Sequence, residues 1–159
     1  MRTLSLLLLG CAVTLLAGLP VAQGAASPIQ VEDAWARQAP MMPSGGQMGG
    51  QMGGHMAGGT GAVYVTLRNA GAAPDALVGA SSAAAEHVEL HETIQDGQVM
   101  RMRPLAKLAL PSGGVLAMKP GGYHIMLLNL KHALQAGEKV SVTLTFEHAA
   151  PLTLDVPIR

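Results

Sequence analysis

Cysteine is almost absent from this chain of 159 residues. The one cysteine, Cys11, lies within an apolar stretch near the N-terminus. A single thiol cannot form an intramolecular disulfide. If the apolar stretch is removed during export, the remaining chain has no thiol at all. Thiol redox chemistry is then excluded, and so is a blue-copper site, because that site requires a thiolate ligand.

Aromatic residues and an excess of either charge are also missing. The only aromatic side chains are Trp35, Tyr64, Tyr123 and Phe146, so the core must be built from Val, Leu, Ile and Ala. Ten Lys and Arg residues balance ten Asp and Glu residues. This balance indicates neither nucleic acid nor an acidic membrane surface as a partner. The length is that of one domain.

Residues 1–26 have the composition of an export signal. Met1-Arg2-Thr3 supplies a short positive segment, Leu4 to Leu19 is apolar, and small residues follow from Ala22 to Ser27. An apolar stretch this short, with these flanks, is typical of a signal peptide rather than a transmembrane helix. The sequence therefore predicts an exported protein that acts in the periplasm or elsewhere outside the cell membrane.

The processing of this segment is open to three interpretations. Cleavage after Ala26 would leave residues 27–159 as the mature domain, and cleavage after Gly24 would leave two further residues before it. The alternative is a lipoprotein signal that ends at Leu9-Gly10-Cys11, although little apolar sequence precedes this cysteine. An uncleaved anchor is a third, weaker alternative.

Short runs of alternating apolar and polar residues predict an all-β fold. The clearest run is Val140 to Phe146, where apolar residues alternate with Ser and Thr. Similar runs predict strands at 27–37, 63–67, 76–80, 87–94, 98–103, 115–119, 123–130 and 152–156. Only Lys131 to Gln135 offers a short helix candidate. Many short strands with Gly and Pro between them favour a Greek-key β-sandwich.

Two histidines and two methionines form the most informative pattern in the chain. Ten residues separate His91 from Met102, and twenty-one separate Met102 from His124, which is followed by Met126. Both donor types are neutral, and thioether sulfur is soft. Soft donors favour Cu(I) over zinc, magnesium or calcium. The pattern therefore predicts a protein that binds Cu(I), and that carries the ion rather than using it in catalysis.

A predicted hairpin brings the first two of these residues together. With Asp96-Gly97 as a two-residue loop, His91 lies directly opposite Met102, and Cβ atoms of such a pair are about 4.5–5.5 Å apart. Glu92 then pairs with Arg101 on the other face. Met100 shares the predicted face of Met102 and would replace it as the ligand if the register shifted by two residues.

The second pair lies on one strand. His124 and Met126 are two residues apart, so they share a face, while Ile125 and Leu127 point into an apolar layer. We expect the two pairs to converge on one point. The other candidate donors, Met118, His87, His132 and His148, are interpreted as ordinary core or surface residues.

The spacing and its flanking segments resemble a known family, the periplasmic PCu(A)C-type copper chaperones. The motif His91, Met102, His124, Met126 matches that family without a gap or substitution. The resemblance covers nearly all of the chain after the signal and extends to Ala34-Trp35-Ala36-Arg37, Val88-Glu89-Leu90-His91-Glu92, Met100-Arg101-Met102-Arg103-Pro104 and Lys119-Pro120-Gly121-Gly122-Tyr123-His124-Ile125-Met126.

The resemblance implies a cupredoxin-like β-sandwich that binds one Cu(I) through those four residues. It also implies delivery of copper for the Cu(A) site of cytochrome c oxidase, with the copper subunit of the oxidase or a Sco-type thiol protein as the acceptor. We expect a monomer without enzymatic activity. The alternatives are a copper-dependent electron-transfer or redox protein, and a β-sandwich interaction module in which the His and Met residues are incidental.

A segment rich in Met and Gly departs from the family pattern. Residues 38–61 are low in complexity and predict a flexible loop, whereas the family has a short Pro/Gly loop there. A four-residue repeat spaces several donors that predict a second, weaker copper site: Met41, Met42, Met48, Met52, His55 and Met56. The alternative is a low-complexity insertion in which Met has no role.

Deleting Gln47 to Met56 tests the second site. We expect the variant to bind fewer Cu(I) ions per chain and to keep the tightest one, because ordering a flexible segment weakens any site it forms. Competition with a chromophoric chelator measures both quantities. A full-length control with Met48, Met52 and Met56 changed to Leu should lose the same ions. An unchanged stoichiometry in both variants would contradict the second site.

Overall fold

A computed structural model describes residues 28–40 and 59–159. The predicted export signal lies outside the described residues. So do the candidate ligands of the predicted second site, which are Met41, Met42, Met48, Met52, His55 and Met56. Both therefore remain predictions.

The described part of the chain is all-β, as predicted. Its ten strands are β1 (Ile29–Ala36), β2 (Gly61–Asn69), β3 (Asp75–Ser81), β4 (Ala85–Asp96), β5 (Val99–Leu105), β6 (Leu108–Leu110), β7 (Val115–Ala117), β8 (Tyr123–Leu130), β9 (Lys139–Phe146) and β10 (Leu152–Pro157). No helix long and apolar enough to cross a membrane occurs in residues 28–40 or 59–159. The helix candidate at Lys131 to Gln135 is wrong, because this segment forms bends and a single bridge at Leu134.

The strands form the two antiparallel sheets of a cupredoxin-like β-sandwich, which confirms the predicted fold class. The first sheet has the order β1-β2-β8-β4-β5, and β7 also pairs with β2. The second has the order β10-β9-β3-β6. Because β4 and β8 are neighbours near the middle of the first sheet, residues far apart in sequence meet there.

Aliphatic side chains fill the space between the sheets. Val63, Leu90 and Ile125 pair across β2, β8 and β4, and all three are buried. Burying one such side chain contributes about 1.5–3 kcal/mol. Successive residues of a strand point to opposite faces, so His91 and His124, each adjacent to a core residue, are directed to the outer face of the first sheet.

The hairpin of β4 and β5 differs from the predicted one. Its two-residue loop is Gly97-Gln98, because Asp96 pairs with Val99. Gly97 has a φ of +63° and occupies the first loop position, where a type II′ turn favours glycine. The prediction placed glycine second, as a type I′ turn requires, and it was wrong.

The corrected register changes every partner along the hairpin. Met102 lies opposite Thr93, and His91 lies opposite Pro104. Met102 is therefore a diagonal neighbour of His91 rather than its direct partner. The predicted pairing of Glu92 with Arg101 is wrong in the same way, since Glu92 binds Arg103 at 2.8 Å.

Residues at both ends of the predicted loop 38–61 belong to the β-structure. Ala39 exchanges two backbone hydrogen bonds with Leu134, of 3.0 and 2.9 Å, and Gly61 already belongs to β2. Gly59 lies against the carbonyl oxygen of Pro40, so the described residues on the two sides of segment 41–58 are neighbours in space.

Candidate metal centre

Two histidines on neighbouring strands form the base of the candidate centre. His91 of β4 lies directly opposite His124 of β8, and their ring centroids are 5.8 Å apart. Both residues are buried, with exposed fractions of 9% and 4%. Cross-strand neighbours on one face are close enough to bind the same ion.

The ring of His91 has one nitrogen engaged and one without a partner. Its Nε2 lies 2.7 Å from Oε2 of Glu89, whereas Nδ1 is buried and has no hydrogen-bond partner. Leaving a buried polar atom unsatisfied costs about 1–3 kcal/mol. Such an atom requires an explanation, and a bound ion is one of the usual ones. The Nδ1 lone pair of His91 therefore fits a metal ligand.

His124 also has one nitrogen in use. Its Nδ1 donates a hydrogen bond of 3.1 Å to the carbonyl oxygen of Gly122, which leaves Nε2 as the nitrogen with a free lone pair. Burial lowers the pKa of His124, and the positive charge that His91 can carry lowers it further, against an opposing effect of the Gly122 carbonyl. The neutral imidazole, which is the form that binds metals, is therefore favoured.

A cleft of about 400 Å³ brings the thioethers to the same place. Met102, His124 and Met126 all line it. Met126 is half-buried, and it pairs with Ala62 on one side and Glu89 on the other. Met102 is 60% exposed at the edge strand β5. His91 does not line the cleft but lies directly opposite His124, so the strand registers place all four predicted ligands on the outer face of the first sheet.

Met100 also lines this cleft. The observed register moves it away from His91, because it lies opposite Gln95 whereas Met102 lies opposite Thr93. The shift that would have placed Met100 opposite His91 runs in the other direction. Met102 therefore remains the better candidate, and Met100 is a second exposed thioether two residues nearer the turn.

The four remaining candidate donors lie outside the centre. Met118 is 4% exposed and belongs to the hydrophobic core. His87, His132 and His148 are exposed and do not line the cleft. This agrees with their interpretation as ordinary core and surface residues.

Sequence reasoning missed three residues in or beside the centre. Tyr64 lines the cleft, with its ring centroid 6.3 Å from that of His124, and Trp35 packs on Tyr64 at 4.5 Å. Glu89 contacts His91 directly. The spacing Glu89-x-His91 in a predicted strand places both side chains on one face and was the available signal for Glu89. The position of Tyr64 depends on the pairing of β2 with β8, for which the sequence carries no local signal.

The fold and the centre together define a class of protein: a small cupredoxin-like β-sandwich with His and Met donors gathered on one sheet. The model of the LpqE-like family, described as putative lipoprotein LpqE-like, matches residues 29–158, and the chain belongs to this family. The putative lipoprotein Lxx21020 of Leifsonia xyli is 33% identical over 153 residues, which cover 96% of this chain and 82% of that protein.

Solved structures of PCuAC domains share the fold. The apo PCuAC domain from PmoF1 is 24% identical, with a TM-score of 0.60 and coverage of 83% of this chain and 93% of that domain. The Cu(I) form of DR1885 from Deinococcus radiodurans is 29% identical, with a TM-score of 0.58 and coverage of 87% and 83%. These neighbours confirm the resemblance to PCu(A)C-type proteins.

A matched pair of variants separates the two exposed thioethers. We expect Met102→Leu to weaken Cu(I) binding about tenfold, which corresponds to about 1.4 kcal/mol for one lost metal–sulfur bond. Met100→Leu should change it by less than about twofold on that same scale. Competition with a chromophoric chelator measures both. A larger loss in Met100→Leu would assign the ligand to Met100.

Proposed function

We propose that this chain is an exported carrier that binds one Cu(I) between His91, Met102, His124 and Met126 and passes it to an acceptor. The observation that carries the proposal is the unpartnered, buried Nδ1 of His91 beside His124, next to a cleft lined by thioethers. The Cu(I) form of the Deinococcus radiodurans protein, which has the same fold, supports copper as the cargo.

The donor set supports Cu(I) rather than a harder ion. All four proposed ligands are neutral, and two of them are soft thioethers, which suit Cu(I). Within residues 28–40 and 59–159, no cluster of three or more His, Cys, Asp or Glu side chains is placed to hold a metal ion. Zinc and calcium prefer such clusters, so the described part of the chain offers them no equivalent site.

The exposure of the ligands suggests how the ion is released. Met102 is 60% exposed, whereas His91 and His124 are buried. An incoming thiolate can therefore displace the outer thioether first and the imidazoles last. Thiolate is the stronger ligand for Cu(I), so each exchange favours the acceptor. Because the two imidazoles are buried, the carrier keeps its ion until a thiol-bearing partner reaches the cleft.

The partners and the location form the finer part of the proposal. We infer that the acceptor is the copper subunit of cytochrome c oxidase or a Sco-type thiol protein, in assembly of the Cu(A) site, as the family resemblance implies. The name of the Leifsonia xyli relative, a putative lipoprotein, supports export and favours the alternative in which Cys11 carries a lipid anchor.

An electron-transfer protein is the alternative function. A blue-copper site needs a cysteine thiolate, and the described residues contain no cysteine. A role as a carrier requires no open coordination position and no change of oxidation state. It is therefore the simpler interpretation of four neutral ligands.

Replacing His124 tests the ligand assignment. We expect His124→Ala to weaken Cu(I) binding by roughly a hundredfold or more. Loss of a residue that only hydrogen-bonds to a metal ligand already lowers metal affinity 10–100-fold, and loss of the ligand itself should cost at least as much. Chelator competition measures the affinity, and circular dichroism checks the fold. His87→Ala, on an exposed residue outside the cleft, is the control and should bind like the unchanged chain. Near-native affinity in His124→Ala would refute the assignment.

A transfer experiment tests the carrier role itself. The Cu(I)-loaded chain is mixed with a peptide that bears two cysteines, or with the same peptide carrying serines, and copper is counted after separation. We expect copper to move to the dithiol peptide alone, since only thiolates outcompete thioethers for Cu(I). Retention of copper in the presence of the dithiol peptide would contradict a carrier function.

A further inference from the structure

We propose that Glu89 is a positioning residue, which holds the imidazole of His91 in the one tautomer and orientation that offers Nδ1 to Cu(I). This inference rests on the proposed function, because it takes His91 as a copper ligand. It adds a residue outside the four-ligand motif and specifies which nitrogen of His91 binds the ion.

The contact between the two side chains is short and is set by the strand. Glu89 and His91 are two residues apart in β4, so both project from the outer face of the first sheet. Oε2 of Glu89 lies 2.7 Å from Nε2 of His91. The side chain of Glu89 is 46% exposed, whereas that of His91 is only 11% exposed. A half-exposed carboxylate thus meets the imidazole at its Nε2 edge.

This contact fixes the position of the ring proton. An ionised carboxylate only accepts hydrogen bonds, so Nε2 of His91 must carry hydrogen and donate it to Glu89. In the neutral ring, Nδ1 then bears the lone pair. That is the atom which is buried without a partner. The contact of Glu89 with Nε2 is therefore what leaves the lone pair on Nδ1.

The same contact restricts the rotation of the ring. The terminal torsion of a histidine side chain has broad, roughly two-fold preferences, so a free imidazole can exchange the places of Nδ1 and Cδ2. A flip about this torsion would move Nε2 away from Glu89 and break the hydrogen bond. Carboxylates that orient metal-bound histidines in this way raise metal affinity, and losing one typically costs 10–100-fold.

Glu92 offers a matched control on the same strand. It lies one residue beyond His91, on the opposite face, and Arg103 engages its carboxylate through Nε at 3.0 Å and Nη2 at 2.8 Å. Removing Glu92 deletes a negative charge close to His91 without touching the imidazole. A general electrostatic effect on the ion would therefore appear in both variants, whereas a positioning effect would appear in Glu89 variants alone.

The first measurement uses the metal-free chain. Long-range ¹H–¹⁵N correlation spectra report which imidazole nitrogen carries hydrogen. We expect the His91 signals to show hydrogen on Nε2 in the unchanged chain and in Glu92→Ala, and a mixture of tautomers in Glu89→Ala. Hydrogen on Nδ1 in the unchanged chain, or the same single tautomer in Glu89→Ala, would overturn the role of Glu89 whatever the copper result.

The second measurement is Cu(I) affinity by chelator competition. We expect Glu89→Ala to bind 10–100-fold more weakly, and Glu92→Ala to stay within about twofold of the unchanged chain. Glu89→Gln should recover part of the loss, because its amide oxygen still accepts from Nε2. Equal affinity in Glu89→Ala and the unchanged chain, or equal losses in Glu89→Ala and Glu92→Ala, would overturn the inference.

The two measurements also separate this inference from the proposed function. If the unchanged chain fails to bind Cu(I), the proposed function is wrong and the copper ligation inferred for Nδ1 falls with it. The spectra of the metal-free chain still decide whether Glu89 holds the tautomer. If Cu(I) binds and His124→Ala loses it while Glu89→Ala does not, only the inference about Glu89 fails.

Discussion

The cross-strand pairing of β4 with β8 is the constraint on which the centre depends. It sets Leu90 against Ile125 on the core face and His91 against His124 on the outer face. If β4 slipped by one residue against β8, His91 would turn into the apolar core and Leu90 would turn outward. Burial of Leu90 and Ile125 contributes roughly 1.5–3 kcal/mol each, so the hydrophobic core itself holds the two histidines in register.

The candidate centre combines rigid and accessible parts. The imidazoles come from two strands in the interior of the first sheet, and each has one nitrogen already held, by Glu89 or by the carbonyl of Gly122. The buried Nδ1 of His91 costs stability as long as no ion is bound. A fold optimised for stability alone would have no reason to keep this atom, which is why it indicates function.

Much of this arrangement could be predicted from the sequence, because the period of two in a strand is a strong signal. The alternation of apolar and polar residues in β9 and around His124 correctly predicted which side chains face the core. Ile125 and Leu127, for example, are fully buried. The strand Leu108–Leu110 was missed, because three residues are too few to show alternation. The hairpin register was wrong, because Asp96-Gly97-Gln98 permits glycine in either loop position and only the longer-range pairing decides between them.

The register error bears on how the centre works. A methionine directly opposite His91 would be the direct cross-strand neighbour of the imidazole, although still on the edge strand β5. The observed register places Met102 two residues nearer the turn, opposite Thr93. Its strand, β5, lies at the edge of the first sheet, with no further neighbour among the described strands. Diagonal neighbours remain within reach of long side chains, so Met102 can still contact an ion held by His91.

The position of Met102 on β5 gives the imidazole and thioether ligands different roles. The imidazoles are buried and held by hydrogen bonds, so they supply a preformed base for the ion. The thioether of Met102 is flexible and solvent-exposed, so its sulfur can bind the ion and release it again with little rearrangement of the fold. The soft, neutral donors make the site selective for Cu(I), and the exposed position of the Met102 sulfur makes the bound ion easy to release. A carrier needs both properties at once, and the edge position of β5 allows them to coexist in one site.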